Sequence, residues 1–553
     1  MRILLLSLLT ICVNFTFAQN FPRVYNILQA NCTASGCHAS ISPQSGLDLS
    51  GSMTDVYNAI VNIDPTNVTA SNKGDKLIKP GYPLNSYLYR KINSGLHADH
   101  GLTSGEGGNM PQGLPPIEDY EREIIKQWIY FGAPNQSNTT QVFNENSVQD
   151  YYTLGGAPRI AAPAPPAVGF QVHLGPIFLD ASVETEYRLK HQLDLPANVE
   201  ITQLEVTMNN ESHHFILDKF PTAANASSVD EGMRNVNLAN FIMGGAELVN
   251  AWQASGGREL PYGTAYFWAK DEYLDLNYHV NNYSTTQILP AEVYINVHTQ
   301  PLGTAVKEMK AALVPNAASI ATGPGATNTF SASSGFFGVQ DDTAQLWMLA
   351  SHTHKYGVDY DIYTIDGSGN DMDQIYEGKY DYDNNMPVTN YDWSHPPTRF
   401  WDGPNLYPIK ASWGLRHEAK YTNTGSSAVD WGVTTNDEMM LYYIQYIEGA
   451  AKLPSDPTNV DDAKIIDVIN FDLYPNPTNN SLRFDYYLPQ SENVAITITD
   501  LNGKTVSSLI NNYQTSGSHA YHYNVNELGL SAGMYFVVVN VGGLQQSTKL
   551  IVR

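Results

Sequence analysis

The chain has 553 residues and a formal net charge of −25, with 42% hydrophobic, 11% aromatic and only 15% charged residues. That length exceeds one compact domain and predicts three or four. The acidic excess leaves no basic footprint for nucleic acid or for an anionic lipid surface.

In chain order, the first element is an export signal, residues 1–18, in which Arg2 precedes the apolar run Ile3–Leu9 and Ala18 offers a small residue for cleavage. The apolar run is short for a bilayer span, and no later segment is apolar enough to cross one, so the mature chain is expected to be exported without a transmembrane segment. Cys12 leaves with the signal and only Cys32 and Cys37 remain. One close pair in a large exported chain is not a disulfide scaffold and needs its own explanation.

Residues 19–136 read as helical and end in an amphipathic helix over 117–129, where Ile117, Tyr120, Ile124, Ile125, Trp128 and Ile129 share one face. Near its start, Cys32-Thr33-Ala34-Ser35-Gly36-Cys37-His38 sets a histidine directly after the second of two cysteines. Covalent c-type haem needs two thiols to add to its vinyl groups and an imidazole as axial ligand; the usual spacer is two residues, and here it is four. The alternative is an export-compartment disulfide with His38 a bystander. The segments Ser45–Ser50, Lys79–Gly81, Ser86–Ile92 and Asn109-Met110-Pro111, followed by the Trp-containing helix, resemble bacterial cytochrome c-like domains over about residues 20–135. The resemblance implies a covalently bound c-type haem on Cys32, Cys37 and His38, with Met110 as the sixth iron ligand. A thioether there raises the potential and suits electron transfer. His97 and His100 are rival ligands whose plainer reading is as exposed loop histidines.

The polar run Asn135–Thr140 and the Pro/Ala run Ala157–Pro166 read as linker, giving a connection over 137–167. From 168 to 450 the pattern changes to short alternating strands, as in 201–208 and 293–298. Three histidine-bearing segments stand out: His213-His214, then His279, then His352-Thr353-His354, joined by the late segment Asn436-Asp437-Glu438-Met439-Met440. His352 and His354 are two apart and project to one face of a strand. Adjacent His213 and His214 need a bend or bulge to converge. Imidazoles with a thioether, in a region without cysteine, suit copper and exclude thiolate zinc and blue-copper sites.

Those segments, with Leu260-Pro261-Tyr262-Gly263-Thr264-Ala265 ahead of His279 and Asp437-Glu438-Met439 after the triplet, resemble the catalytic core of the copper type II ascorbate-dependent monooxygenases, the peptidylglycine α-hydroxylating and dopamine β-monooxygenase family. The resemblance implies two jelly-roll-like β-sandwiches, residues 168–305 and 306–450, and two copper ions facing each other across an open cleft. His213, His214 and His279 would hold an electron-relaying copper. His352, His354 and Met439 would hold the copper that binds and activates dioxygen for attack on a substrate C–H bond. Met440 is the rival thioether. Tyr443 matches a substrate-contacting tyrosine of the peptide-hydroxylating enzyme, or is a plain strand aromatic. Ala350 stands where that enzyme has a carboxylate-clasping arginine, which argues against a C-terminal glycine peptide as substrate. The disulfide cysteines of the animal enzymes are missing. His173, His191, His298, His395 and His417 read as structural or surface residues.

A second linker, 451–470, contains Leu453-Pro454-Ser455-Asp456-Pro457-Thr458 and leads to a β segment over 471–553. Its landmarks Phe471–Pro477, Val494–Lys504, Leu530–Val537 and Lys549–Arg553 alternate as in a small immunoglobulin-like sandwich. They resemble the C-terminal sorting domain of type IX secretion; His519 and His522 within it are not site candidates. That resemblance implies the type IX machinery as a partner and a location outside a Gram-negative cell, released or on its surface, reached through the periplasm.

The expected fold is therefore multidomain: a small all-α cytochrome c-like domain, two all-β jelly-roll-like sandwiches and a small C-terminal Ig-like sandwich. The expected function is a secreted dicopper monooxygenase that hydroxylates a C–H bond of a small molecule with dioxygen. Electrons would come through the haem, from a redox partner or from an external reductant such as ascorbate. The alternative is a non-catalytic exported haem and copper protein for electron transfer or binding. A purely adhesive role would need neither histidine cluster.

Overall fold

The computed structural model describes residues 20–41, 43–135, 142–236, 246–316, 318–335, 339–401, 403, 405–450, 453–454, 471–488, 491–501, 503–515, 517–541 and 544–553. The export signal with Cys12, the segment 136–141 and most of the 451–470 linker lie outside the described residues. The chain forms two compact units, Met1–Leu453 and Pro454–Arg553.

The first unit opens with helices α1 (Asn20–Cys32), α2 (Met53–Ile60), α3 (Val68–Asn72), α4 (Tyr87–Asn93), α5 (Asp119–Tyr130) and α6 (Glu145–Leu154). Their starts follow from capping chemistry: Ser52 and Asp55 form a reciprocal capping box on α2, and Asn67 caps α3. Ten strands follow: β1 (Gly169–Leu179), β2 (Glu184–Gln192), β3 (Val199–Met208), β4 (Ser212–Lys219), β5 (Met233–Asn235), β6 (Glu247–Trp252), β7 (Thr264–Trp268), β8 (Tyr273–Asn281), β9 (Leu289–Gln300) and β10 (Lys307–Glu308). They make two five-stranded sheets, β1-β9-β3-β7-β10 and β5-β2-β8-β4-β6.

The next group is β11 (Lys310–Pro315), β12 (Thr327–Ser334), β13 (Thr343–His352), β14 (Gly357–Ile365), β15 (Asp371–Glu377), β16 (Tyr380–Asp381), β17 (Met386–Pro387), β18 (Thr398–Phe400), β19 (Tyr407–Lys410), β20 (Leu415–Thr422) and β21 (Leu441–Glu448). Here β11-β21-β13-β18, with β19 also on β13, lies in one sheet and β12-β20-β14-β15 in the other. Leu346, Leu349, Tyr360, Ile362, Tyr421 and Ile444 fill the space between them.

The expectation of a distinct all-α cytochrome c-like domain is overturned. The helices and the first pair of sheets share one hydrophobic core, which runs from Phe21, Val24 and Trp128 through Val172 and Leu174 to Val293 and Ile295. Helix α5 shows why. A helix on the surface of a small free domain keeps a polar face in water, yet every residue of α5 from Arg122 to Tyr130 is buried. Its polar residues are paired on the sheet side. Lys126 Nζ donates to Gly175 O at 2.8 Å and Gln127 Nε2 to Pro176 O at 2.6 Å, both acceptors on β1. Glu123 lies 3.4 Å from Lys126 Nζ and 2.5 Å from His97 Nε2. The stretch read as linker after residue 141 contains α6, which packs on α5. Its Pro/Ala portion is tied to the sheet, with Gln171 Nε2 donating to Pro163 O and Asn296 Nδ2 to Ala164 O, both at 3.0 Å. His97 and His100, read as exposed loop residues, are 3% and 1% exposed.

The second unit is a small β-sandwich. Strands Phe471–Tyr474, Ser481–Leu488 and Gly517–Asn524 form one sheet, and Thr505–Gln514, Glu492–Thr499, Gly533–Val541 and Leu544–Val552 the other. Leu482, Phe484, Ile496, Ile498, Val537 and Leu550 make its core.

Candidate metal centre and haem cavity

The histidines of the two β-sandwiches meet. On the first, β4 carries His213 and His214, and its pairing with β8 shifts register between Ser212 and His214. That irregularity lets two neighbouring side chains converge, which a regular strand forbids. His214 sits opposite His279 of β8. On the second, β13 ends at His352 and the chain turns out through Thr353 and His354. All five imidazoles are buried.

Two groups have ligand atoms within 4.8 Å of one another: His213, His214 and His279, and again His213, His352 and His354. His213 belongs to both. Its ring centroid lies 4.7 Å from that of His279 and 5.3 Å from those of His352 and His354. The resemblance implied two ligand sets facing across an open cleft; in this structure the sets form one contiguous cluster.

Neighbouring groups fix which ring nitrogens carry lone pairs. His279 Nε2 lies 2.8 Å from Glu184 Oε1. Burial alone would raise the Glu184 carboxyl, but hydrogen bonds from His279 and Thr435 hold it at about 2. An ionised carboxylate can only accept, so His279 donates through Nε2 and turns an Nδ1 lone pair toward His213 Nδ1 at 3.1 Å and His214 Nε2 at 3.3 Å. His354 Nδ1 lies 3.2 Å from Asp437 O, a carbonyl that likewise only accepts, which leaves Nε2 as the unprotonated nitrogen. The Gln253 side-chain amide contacts His352 Nδ1 at 2.7 Å and fixes that ring.

Three buried nitrogens, His213 Nε2, His214 Nδ1 and His354 Nε2, have no hydrogen-bond partner. Burial, and then the neighbouring imidazoles, push His213, His214 and His352 well below the ordinary histidine range and His354 down to about 4. Neutral imidazoles with orphaned nitrogens fit a bound metal ion.

Met439, two residues before β21, is 3% exposed and lines a cavity of about 580 Å³ together with His214 and His352. The rival Met440 is enclosed in the second core, its sulfur accepting from Asn316 Nδ2 at 3.3 Å. Tyr443 lines the same cavity, its hydroxyl accepting from Ala251 N at 2.7 Å and Gln445 Nε2 at 2.8 Å and donating to Asn250. Sequence reasoning missed Glu184, Gln253 and the buried Glu438, whose carboxylate accepts from His354 N at 3.0 Å and Tyr356 N at 2.7 Å. Burial pushes Glu438 up to about 7 against those bonds. No local motif marks the first two, and Glu438 stands in Asp437-Glu438-Met439 with no role of its own legible there, because each acts on a residue more than 80 positions away. His395 lies at the cavity rim, His417 is buried against Tyr360 in the second core, and His173 pairs with Asp99 and Glu292. His191 stacks near Tyr82, and His298 is half-buried beside Glu205.

A second cavity, of about 900 Å³, lies among the helices and is lined by Cys32, Cys37, His38 and Met110 with Leu28, Leu49, Leu88 and Ile92. Both cysteines are free thiols. Burial, and then proximity to Cys37, pushes the Cys32 thiol up to about 12. Gly36, with φ +81°, lets the loop turn between them, and His38 N closes it on Cys32 O at 3.0 Å. His38 Nδ1 lies 3.1 Å from Leu47 O and therefore donates to it, leaving the Nε2 lone pair available to a ligand. Two thiols, an oriented imidazole and a thioether around a cavity with an aliphatic wall and a polar margin fit a covalently attached haem.

Residues 472–553 match the family of secretion system C-terminal sorting domains. The protein is exported by the type IX secretion machinery and is secreted or held at the surface of a Gram-negative bacterium. Among the described residues no helix is long and apolar enough to cross a membrane. No curated protein matches the chain. Among solved structures it is similar to a candidate β-galactosidase from Bacteroides fragilis, at 10% identity over 41% of this chain and 33% of that one, with a TM-score of 0.12. It is also similar to a β-glucuronidase from Ruminococcus gnavus, at 6% identity over 42% and 36%, with a TM-score of 0.11. The chain thus spans about a third of the length of the solved structures it matches. At these TM-scores the likeness carries no argument about fold or activity.

Proposed function

We propose that this exported protein is a copper-dependent monooxygenase that hydroxylates a C–H bond of a small molecule with dioxygen. The observation that carries the reading is the cluster of five buried imidazoles, three of them with an orphaned nitrogen; two of the five, His214 and His352, line one cavity with Met439. His213, His214 and His279 would hold one copper ion, and His352, His354 and Met439 the other. Copper, when bound, supplies the one-electron chemistry that couples dioxygen to C–H oxidation. The chain's own residues do the rest. Glu184 orients His279, Gln253 and Asp437 orient His352 and His354, and burial pushes His213, His214, His352 and His354 toward the neutral form. Tyr443, its hydroxyl held by Ala251, Gln445 and Asn250, lines the cavity that would receive the substrate.

The helical layer would carry a c-type haem on Cys32, Cys37 and His38, with Met110 completing the iron's ligands. Its place in the same core as the first sandwich supports a fixed electron donor to the copper sites, alongside ascorbate or a redox partner. The second reading is a non-catalytic haem and copper protein, favoured by the two ligand sets being in contact, with the His213 and His352 ring centroids 5.3 Å apart. The test is metal analysis and copper EPR on the mature protein, then reductant and ¹⁸O₂ with an untargeted search for products. Two coppers per chain and a product carrying one ¹⁸O atom support the enzyme. Bound copper without labelled product supports the second reading, and no copper refutes both.

A further inference from the structure

The cavity that holds Met439 and Tyr443 has an unusual division of charge. Its buried lining, including Trp347, Met348, Ala350 and Gln445, contains no formally charged side chain. The Arg and Asp that line it, Arg258 and Asp383, are both exposed at the rim. Arg258 lies over the Phe400 ring, 4.4 Å from its centroid. The interior polar groups are neutral and already joined to one another: Tyr266 donates to Gln445, Gln445 to Tyr443, and Tyr443 to Asn250. In the copper-free chain an ionised carboxylate or ammonium brought past the rim into this interior would lose its hydration and meet no buried opposite charge. Aromatic walls from Trp252, Trp347 and Phe400 offer flat apolar surface, and about 580 Å³ is room for a ligand of drug size.

We infer that this cavity selects uncharged, flat, largely apolar molecules bearing a neutral hydrogen-bonding group, and that Ala350, Trp347 and Phe400 set the selection. The inference deepens the monooxygenase reading and rests on it for the word substrate; the binding preference stands on the cavity alone. Ala350 is the key position. It pairs with Tyr443 across β13 and β21 and lines the interior, so a cation placed there would face the bound molecule.

The test is calorimetric titration of the full mature chain, as purified and after copper removal, with a matched set: 2-(2-naphthyl)ethanol, 2-naphthylacetate and 2-(2-naphthyl)ethylammonium. The alcohol should bind at least tenfold more tightly than either ion in the copper-free chain. Trp347→Ala and Phe400→Ala should each weaken it about tenfold, and Ala350→Arg should move the preference to the carboxylate. Equal or tighter binding of either ion to the copper-free chain, no binding of the alcohol, or aromatic variants that bind unchanged would overturn the inference. Copper counted on the same samples keeps the readings apart: a chain that holds no copper as purified and takes none up, yet prefers the alcohol, sinks the monooxygenase proposal and leaves the selectivity standing. If Ala350→Arg fails to fold, the two aromatic variants decide.

Discussion

Replacing Lys126 by methionine tests whether the helical layer and the first sandwich fold as one body. Lys126 is fully buried on α5, with its ammonium 2.8 Å from Gly175 O on β1 and 3.4 Å from Glu123 Oε1. Methionine fills nearly the same volume but removes the donor and leaves Glu123 with His97, Gln127 and the Tyr152 hydroxyl as its remaining close partners. Breaking a buried ion pair from one side costs about 3–5 kcal/mol. Spread over a cooperative unit of this size, at about 2.1 cal/mol/K per residue, that lowers Tm by roughly 3–6 °C. The assay is hydrogen exchange through a thermal ramp, comparing α1–α5 with β1–β10. Both should lose protection together, at the lower temperature. The double variant Lys126→Met/Glu123→Gln should recover part of the loss, because it removes both charges. Separate transitions, with the β1–β10 midpoint unmoved, would refute a shared core.

Three further outcomes follow from the sites. His213→Ala and His279→Ala should each abolish the first copper site and spare the second, His354→Ala the reverse, and His213→Ala/His354→Ala both; with copper at 100 times Kd each occupied site adds about 2.7 kcal/mol of stability, read as two steps, one step or none in paired thermal melts. Cys37→Ser should leave haem attached through Cys32 alone, and Cys32→Ser/Cys37→Ser should leave none covalently bound, read from the pyridine haemochrome spectrum after denaturation. Burial and the nearby Arg416 push His417 down to about 4, below its unfolded value of about 6.5. The unfolded chain therefore binds more protons between those values, and stability falls by about 3 kcal/mol as pH drops from 7 to 4. His417→Phe should flatten that slope in denaturant melts.

Some of this was readable from sequence because it depends on local chemistry. The spacing of Cys32, Cys37 and His38 and the two-residue step from His352 to His354 are properties of a few adjacent residues, as is the need for a bend at His213-His214. The merging of helices and sheet was not readable. Arg122, Glu123, Lys126 and Gln127 pattern as an exposed polar face, and nothing local reveals that Gly175 and Pro176, almost 50 positions on, will satisfy two of them. The same reason hid the double membership of His213, which depends on how two sandwiches are placed against each other. Glu184, Gln253 and Glu438 look like ordinary polar residues until the tertiary contact that gives each its task.

The hydrogen bonds around the histidines also constrain how the two sandwiches can move. Glu184 of the first sandwich holds His279 and, with the same oxygen, Thr435 of the second; Gln253 of the first holds His352 of the second. Any hinge rotation that parts the sandwiches must therefore break the supports of imidazoles on both sides in one stroke. The joint works as a latch whose catch is the ligand sphere itself, so opening the groove and loosening the grip on metal are a single mechanical event.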